Sequence, residues 1–475
     1  MESFIIHLTY VLEANIVLFI CQFFTILIVL KLIVDKKSAS NILAWLLAIL
    51  FIPYIAIPFF VIFQRKDRRI FWQKVEMNIR RPSVEKSCEE YYNYKNLPKN
   101  LLNVFSNLEI PSFTAKNSMD IYTDGVESYN AFIDAIQSAK HNIYIQTYVF
   151  KNDTTSKLLI SALEKKASEG VEIKLLIDSL GSFYVYRNNK RIFNTLRKLG
   201  ARVVFFMPII SNPLRNYINF RNHRKIYIID NYTVFSGGMN IGDEYMSPIE
   251  HDGMWEDLLF KIKGESVGYY LKVFCSDWRF ATKEELDFKT TNDVDEEVFV
   301  QVVPSGPDMQ TNPLYSGLIT AINSAKTKLW ILTPYLIPSA DLFQSIILAK
   351  LRGVDVVVIT PKNSNHKIVD MARNNYIREL LANDVDIYFT KNMMHAKAVL
   401  IDDNIAMLGS VNLDNRSLFL NYEIATFVYS TTQVAKLYQW AEGIIKDSDK
   451  DTSHMTEKKS SLFVESIIKI LTPLM

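Results

Sequence analysis

Two pairs of residues carry the most pointed chemistry in this chain: His223-Arg224-Lys225 and His395-Ala396-Lys397. On an extended strand alternate side chains share a face, so each pair presents one imidazole and one ammonium together. Each is followed by an aspartate, Asp230 or Asp402, and by a small-residue turn ending in asparagine. The turns are Gly237-Gly238-Met239-Asn240 and Gly409-Ser410-Val411-Asn412, and seventeen residues separate His from Asn in both copies. A lone H-x-K reads as a solvated strand face; two copies in register with the same followers read as a site. The turn backbone at Gly238 and Ser410, with the side chains of Asn240 and Asn412, can supply N–H donors to phosphate oxygens. Two histidines facing one phosphodiester suggest covalent catalysis. One neutral ring attacks phosphorus, its protonated twin protonates the leaving oxygen, and the roles then swap. Lys225 and Lys397 would stabilise charge on the equatorial oxygens. Asp230 and Asp402 complete the catalytic candidates. They lie an odd step from their histidines, on the opposite side of an ideal strand, so a structural or cation-anchoring role is expected of them. Each imidazole also needs an acid to set its tautomer. Asp257 is the candidate in the first half and Glu423 in the second, with an ordinary surface carboxylate as the alternative for either.

The elements that must position these residues repeat as well. From about residue 110 amphipathic helices alternate with β-branched or aromatic runs, the pattern of an α/β fold. Expected strands in the first half are Asn142 to Phe150, Glu172 to Ile177, Arg202 to Phe206, Lys225 to Ile229 and Val234 to Ser236. Ser138-Ala139-Lys140 before one strand is echoed by Ser324-Ala325-Lys326, and Gly170-Val171 by Gly353-Val354. The expected layout is two pseudo-symmetric α/β/α halves in tandem, with the active site between them. The first half covers 110–281, an acidic linker 282–297, and the second half 298–475.

Composition narrows the classes further. With 53 Lys+Arg against 51 Asp+Glu over 475 residues, the chain lacks the cationic excess of a protein that coats nucleic acid. Cys21, Cys88 and Cys275 are too few and too scattered for a disulfide framework or a structural zinc site. No H-E-x-x-H, carboxylate cluster or phosphate loop calls for a metal or cofactor, and none is expected. The mean hydropathy of +0.05 is high for a soluble enzyme, and the excess is concentrated near the N-terminus. Residues 14–34 and 42–63 are two hydrophobic runs whose only charged residue is Lys31, and each is suited to crossing a bilayer. They are expected to form a membrane hairpin within residues 1–70, followed by a connector, 71–109. Arg65, Lys66, Arg68, Arg69, Lys74, Arg80 and Arg81 then favour a cytoplasmic catalytic region, although Lys36 and Lys37 weaken that signal.

H-x-K-x4-D twice, each followed by G-[GS]-x-N, resembles the phospholipase D superfamily, and the details resemble the bacterial cardiolipin synthases. The resemblance runs through nearly the whole chain. It includes Ala44-Trp45-Leu46-Leu47, Ile241-Gly242-Asp243-Glu244-Tyr245, Ser305-Gly306-Pro307-Asp308, Thr333-Pro334-Tyr335 and Asn412-Leu413-Asp414-Asn415-Arg416-Ser417. It departs at Ala56 and Gln64, where the family often has glycine. The resemblance implies a cell-membrane enzyme that condenses two phosphatidylglycerol molecules into cardiolipin and glycerol, with no nucleic-acid partner. By the same analogy His223 is the nucleophile and His395 the acid, an order that the near symmetry of the motifs leaves open. Hydrolytic phospholipase D, a nuclease of the same superfamily and a phosphate-binding scaffold are the alternatives; the membrane spans and neutral charge weigh against the nuclease. Two further segments have a functional and a bland reading. The stretch before the first motif, with Arg215, Asn216, Tyr217, Arg221 and Arg224, could meet anionic headgroups or be an ordinary basic loop. Residues 460–475 form either a membrane-surface helix or a helix packed on the second half.

Overall fold

The computed structural model describes residues 97–209, 220–290, 294–309 and 311–450, together with 16, 19–20, 22–32, 39–54, 56–57 and 60 near the N-terminus. The expected C-terminal helix, most of the connector, and Arg215, Asn216 and Tyr217 lie outside the described residues.

The larger unit is organised by one sheet of fourteen strands. In the first half these are β1 (Thr114–Tyr122), β2 (Asn142–Thr147), β3 (Glu172–Asp178), β4 (Arg202–Phe206), β5 (Ile226–Ile229), β6 (Thr233–Gly237) and β7 (Leu259–Gly264). The second half adds β8 (Glu297–Ser305), β9 (Lys328–Leu332), a short β10 (Leu336–Ile337), β11 (Asp355–Pro361), β12 (Asp386–Thr390), β13 (Ala398–Ile401), β14 (Ile405–Gly409), a short β15 (Leu413–Asp414) and β16 (Glu423–Tyr429). Reading outward from the centre, the first half runs β1-β7-β6-β5-β2-β3-β4 and the second β8-β16-β14-β13-β9-β11-β12. The two lists are the same list. β10 and β15 pair apart from the main sheet. The halves join where β1 and β8 pair antiparallel, and Asn117 locks the seam by donating to Val298 O over 2.8 Å and accepting from Ser266 N over 2.9 Å.

The expected strands are present with shifted ends: Lys225 falls just before β5 instead of inside it, and the end of β2 is instructive. The run Asn142 to Phe150 stops being strand at Thr147, whose hydroxyl donates to Val149 O over 3.1 Å and turns the chain. Thr333 makes the same bond to Tyr335 O after β9, over 3.0 Å. β2, β5 and β13 are buried at every position, as strands covered on both faces by helices must be. Each half has its own apolar core, one around Phe132, Ile145 and Tyr227, the other around Leu318, Ile331 and Val399. Helix starts follow ordinary capping rules: Asp124 accepts from Val126 N and Glu127 N at the head of Gly125–Ser138, and Asp153 forms a capping box on Thr154–Ser168.

In the N-terminal unit, residues 22–32 and Ala39–Phe51 are helical. Ile28, Leu32, Trp45, Ile49, Ala56 and Phe60 form a small apolar cluster, with Trp45 and Phe60 edge to face at 5.0 Å. Phe19, Phe23, Leu50 and Phe51 are exposed. Among the described residues no helix is long and apolar enough to cross a membrane.

Candidate active site

His223 and Lys225 stand immediately before β5, and His395 and Lys397 immediately before β13. All four are buried, with exposures of 8, 0, 6 and 1%. Each histidine is delivered by a segment that pairs with the opposite half. Asn222 forms a parallel bridge with Tyr422, and Glu256 with Met394. His223 N donates to Tyr422 O over 2.9 Å, and His395 N donates to Glu256 O over 2.7 Å.

The residue after each bridging partner is a carboxylate, and this decides which acid serves which ring. His223 Nδ1 lies 3.1 Å from Glu423 Oε2, and His395 Nδ1 lies 2.6 Å from Asp257 Oδ2. The two expected acids are therefore present, but exchanged: each orients the histidine of the other half, not its own. The bridges across the centre cause the exchange, because they set Glu423 beside His223 and Asp257 beside His395. His223 Nδ1 also lies 3.0 Å from Ser410 O. A carbonyl only accepts, so Nδ1 carries the hydrogen and Nε2 keeps the lone pair.

Burial pushes both imidazoles below their usual range, His395 to about 3; neighbouring lysines push the same way and the carboxylates oppose them. Each imidazole feels the lysines of both halves, so the two pairs form one electrostatic centre. Burial also lowers Lys225 to about 7 and Lys397 to about 8. At Glu423 burial works upward, but His223 and Lys225 prevail and hold the carboxyl below its ordinary value. Lys225 Nζ donates to His223 O over 2.7 Å, and Lys397 Nζ rests on His395 O and lies 3.0 Å from both ring nitrogens. Both ammoniums thus lean on their own histidine, where an incoming anion would draw them away.

Gly238 and Ser410 stand behind the carboxylates, which corrects their expected place in a phosphate cradle. A Cβ at Gly238 would fall 2.0 Å from Asp257 Oδ1. At the equivalent position Ser410 Oγ donates to Glu423 Oε2 over 2.5 Å. Asn240 Oδ1 accepts from Val149 N over 3.1 Å, whereas Asn412 Oδ1 is buried with no hydrogen-bond partner. Asp230 and Asp402 lie past the far ends of β5 and β13, away from the imidazoles, and do not belong with the catalytic candidates. Asp230 accepts from the backbone N–H of Lys140, His141 and Asn142, and Asp402 from those of Lys326, Thr327 and Lys328. They clamp the starts of β2 and β9.

Arg221 and Arg224 are not headgroup ligands either, since both are fully buried. Arg221 pairs with Asp178 at 2.9 Å. Arg224 makes two bonds to Asp277, at 2.7 and 2.8 Å, and spans the centre by donating to Ser305 O and Glu423 O. Charge in a sequence does not say whether its partner is solvent or a buried acid. Three aromatic walls also went unforeseen. Tyr148 meets the His223 ring edge-on at 4.8 Å, while Tyr245 and Trp255 flank His395 at 5.1 and 5.2 Å. The repeated Thr147 and Thr333 were the available signal that the chain turns there and exposes Tyr148 to the site.

A solved structure of similar fold is the phosphatidylserine synthase of Haemophilus influenzae Rd KW20, with a TM-score of 0.60 and 14% identity over 79% of this chain and all of that one. The fold is phospholipase D-like, in two halves. A family model described as cardiolipin synthase, PLD-like domain, matches residues 132–278 and 318–445. Among curated relatives, a cardiolipin synthase of Clostridium perfringens (strain SM101) is 33% identical over 93% of this chain and 96% of its own length. The major cardiolipin synthase ClsA of Bacillus subtilis (strain 168) is 32% identical over 95% of this chain and 98% of its own. The chain belongs to the cardiolipin synthase family of phospholipase D-like proteins.

Proposed function

We propose that this protein is a phosphatidyltransferase that joins two phosphatidylglycerol molecules into cardiolipin and free glycerol. The observation that carries the reading is the convergence of two buried His–Lys pairs, each imidazole backed by a carboxylate from the other half. In the first step His223 Nε2 attacks phosphorus, and the P–O bond to the headgroup glycerol breaks. His395 gives its Nε2 proton to the departing glycerol oxygen. In the second step His395 takes the proton from a headgroup hydroxyl of the second phosphatidylglycerol, whose oxygen displaces His223 from phosphorus. Lys225 and Lys397 hold the non-bridging oxygens throughout. Overall one phosphodiester is exchanged for another, so no nucleotide or other activated donor is consumed.

The two carboxylates support this order of roles. Ser410 donates to Glu423 and its carbonyl shares the Nδ1 hydrogen of His223, which favours a neutral, nucleophilic ring. Asp257 accepts from Leu258 N and lies 2.6 Å from His395 Nδ1, placed to stabilise an imidazolium there. Both rings are neutral before substrate binds; the anionic phosphodiester and Asp257 together supply the attraction that loads a proton on His395. Burial of the four residues limits water and favours transfer to a lipid hydroxyl.

Residues 1–70 are proposed as the membrane hairpin, with spans 14–34 and 42–63, and 71–109 as the connector. The packed face at Trp45 and the exposed apolar residues Phe19, Phe23, Leu50 and Phe51 support a lipid-facing role. Residues 110–281 and 298–475 are the two catalytic halves around the 282–297 linker, on the cytoplasmic side of a bacterial cell membrane. Incubation with phosphatidylglycerol vesicles should release cardiolipin and glycerol in equal amounts. Phosphatidic acid without cardiolipin would replace the transferase by a hydrolytic phospholipase D.

A further inference from the structure

We infer that the β3–β4 crossover, residues 183–200, is a docking surface for an anionic lipid bilayer beside the His223 wall of the site. The segment holds Arg187, Lys190, Arg191, Arg197 and Lys198 and no acidic residue. Its inner face is anchored in the first-half core by Val185, Phe193 and Leu196. Its outer face exposes Phe183 at 42% and Tyr184 at 55%, together with Leu199, Arg187, Lys190, Arg191 and Lys198. The Arg187 guanidinium lies 6.0 Å from the Phe183 ring. Exposed rings interleaved with long cationic side chains suit the headgroup level of an anionic bilayer, where rings enter the interface and cations meet phosphates.

The duplication supplies an internal comparison. The equivalent β11–β12 crossover, residues 367–384, carries Lys367, Arg373 and Arg378 against Asp370, Glu379 and Asp384. Arg373 is buried and spent on Pro361 O and Thr360 Oγ1. The same architecture therefore stands with balanced charge in one half, so folding alone does not require the cationic excess in the other.

The patch is fixed to the site at its base. Ser182 Oγ donates to Tyr148 O over 2.9 Å and accepts from Phe150 N over 2.8 Å. Asp178 accepts from Leu180 N and Gly181 N and also from Asn222 N, next to His223. A bilayer seated on residues 183–200 would thus lie one turn from the wall formed by Tyr148. The inference rests on the proposed lipid substrate, but docking is read without turnover.

The test uses the full chain reconstituted in vesicles carrying brominated acyl chains, with Tyr184→Trp as reporter and the parent chain subtracted. Quenching of the added indole in phosphatidylglycerol vesicles, lost in phosphatidylcholine vesicles or high salt, is the expected result. The triple variant Arg187→Glu/Lys190→Glu/Arg191→Glu should weaken quenching at least about fivefold, the effect of a single cation at an anionic surface. Ile368→Trp, on the balanced crossover and 58% exposed, is the control. No quenching at 184, quenching indifferent to lipid charge, or equal quenching at 184 and 368 would each overturn the inference. Failure of cardiolipin synthesis with normal quenching would instead sink the proposed reaction and leave the docking surface standing.

Discussion

Gly238→Ala tests whether Asp257 sets the position of His395 from across the centre. Gly238 is not in the left-handed region, so alanine brings no backbone strain; its effect is the methyl group alone. That methyl would sit 2.0 Å from Asp257 Oδ1, whereas ordinary contact begins at 3.4 Å. The carboxylate, buried with no exposed edge, must retreat by about 1.4 Å to restore normal contact. The 2.6 Å bond to His395 Nδ1 would stretch past hydrogen-bonding range, and the Leu258 N–H would lose its partner. A misplacement of this size near reacting groups lowers turnover about 100-fold, and the orphaned donor costs about 1–3 kcal/mol of stability. The assay is cardiolipin formation across a range of phosphatidylglycerol surface concentrations, with kcat expected to fall and half-saturation to hold. In an Asp257→Gly background the alanine should add almost nothing, because its effect runs through that carboxylate. Parental kcat in Gly238→Ala, or full additivity with Asp257→Gly, would refute the reasoning.

Three further outcomes are expected. With a p-nitrophenyl phosphodiester, whose leaving group needs no acid, His395→Ala should still release one equivalent of nitrophenol in a burst, and His223→Ala none; the reverse pattern exchanges the two roles. Arg224→Lys should destabilise the fold by about 1–3 kcal/mol in denaturant titrations, because one ammonium that keeps the pair with Asp277 cannot also reach Ser305 O and Glu423 O. Stability should decline as pH falls from the ordinary histidine value near 6.5 toward about 3, where folded His395 titrates. In that window the unfolded chain binds the proton and the folded chain resists it, and thermal melts of His395→Gln should show a shallower decline.

Much of the fold was legible because it rests on local pattern. β4 was foreseen over its full length, and the Ser-Ala-Lys and Gly-Val echoes identify β2 as the counterpart of β9 and β3 as the counterpart of β11. The two His–Lys pairs were legible for the same reason, since alternation along a chain is a local property. The crossing of Asp257 and Glu423 was not, because it follows from the Asn222–Tyr422 and Glu256–Met394 bridges, between segments far apart in the chain. The odd step of Asp230 and Asp402 did point away from the imidazoles, and their clamp on the starts of β2 and β9 agrees with that reading. Arg221 and Arg224 were misread because a basic residue looks the same whether it faces lipid or Asp277. Gly238 and Ser410 were misread because a small residue beside a turn suits a phosphate or a closely packed carboxylate equally well.

The seam between β1 and β8 has a consequence for how the site opens. A continuous sheet flanked on both sides of its centre by paired strands leaves no hinge along which the halves could part. Parting them would also strip both imidazoles of their acids in one movement, since each bond crosses the same boundary. Substrate access must therefore come from the walls, by displacement of side chains and loops such as those bearing Tyr148, Tyr245 and Trp255. For the same reason the functional unit for mutation is not a half. A lesion at Glu423 belongs genetically with His223, and a lesion at Asp257 with His395, so neither copy of the duplication is free to drift while the other keeps the chemistry.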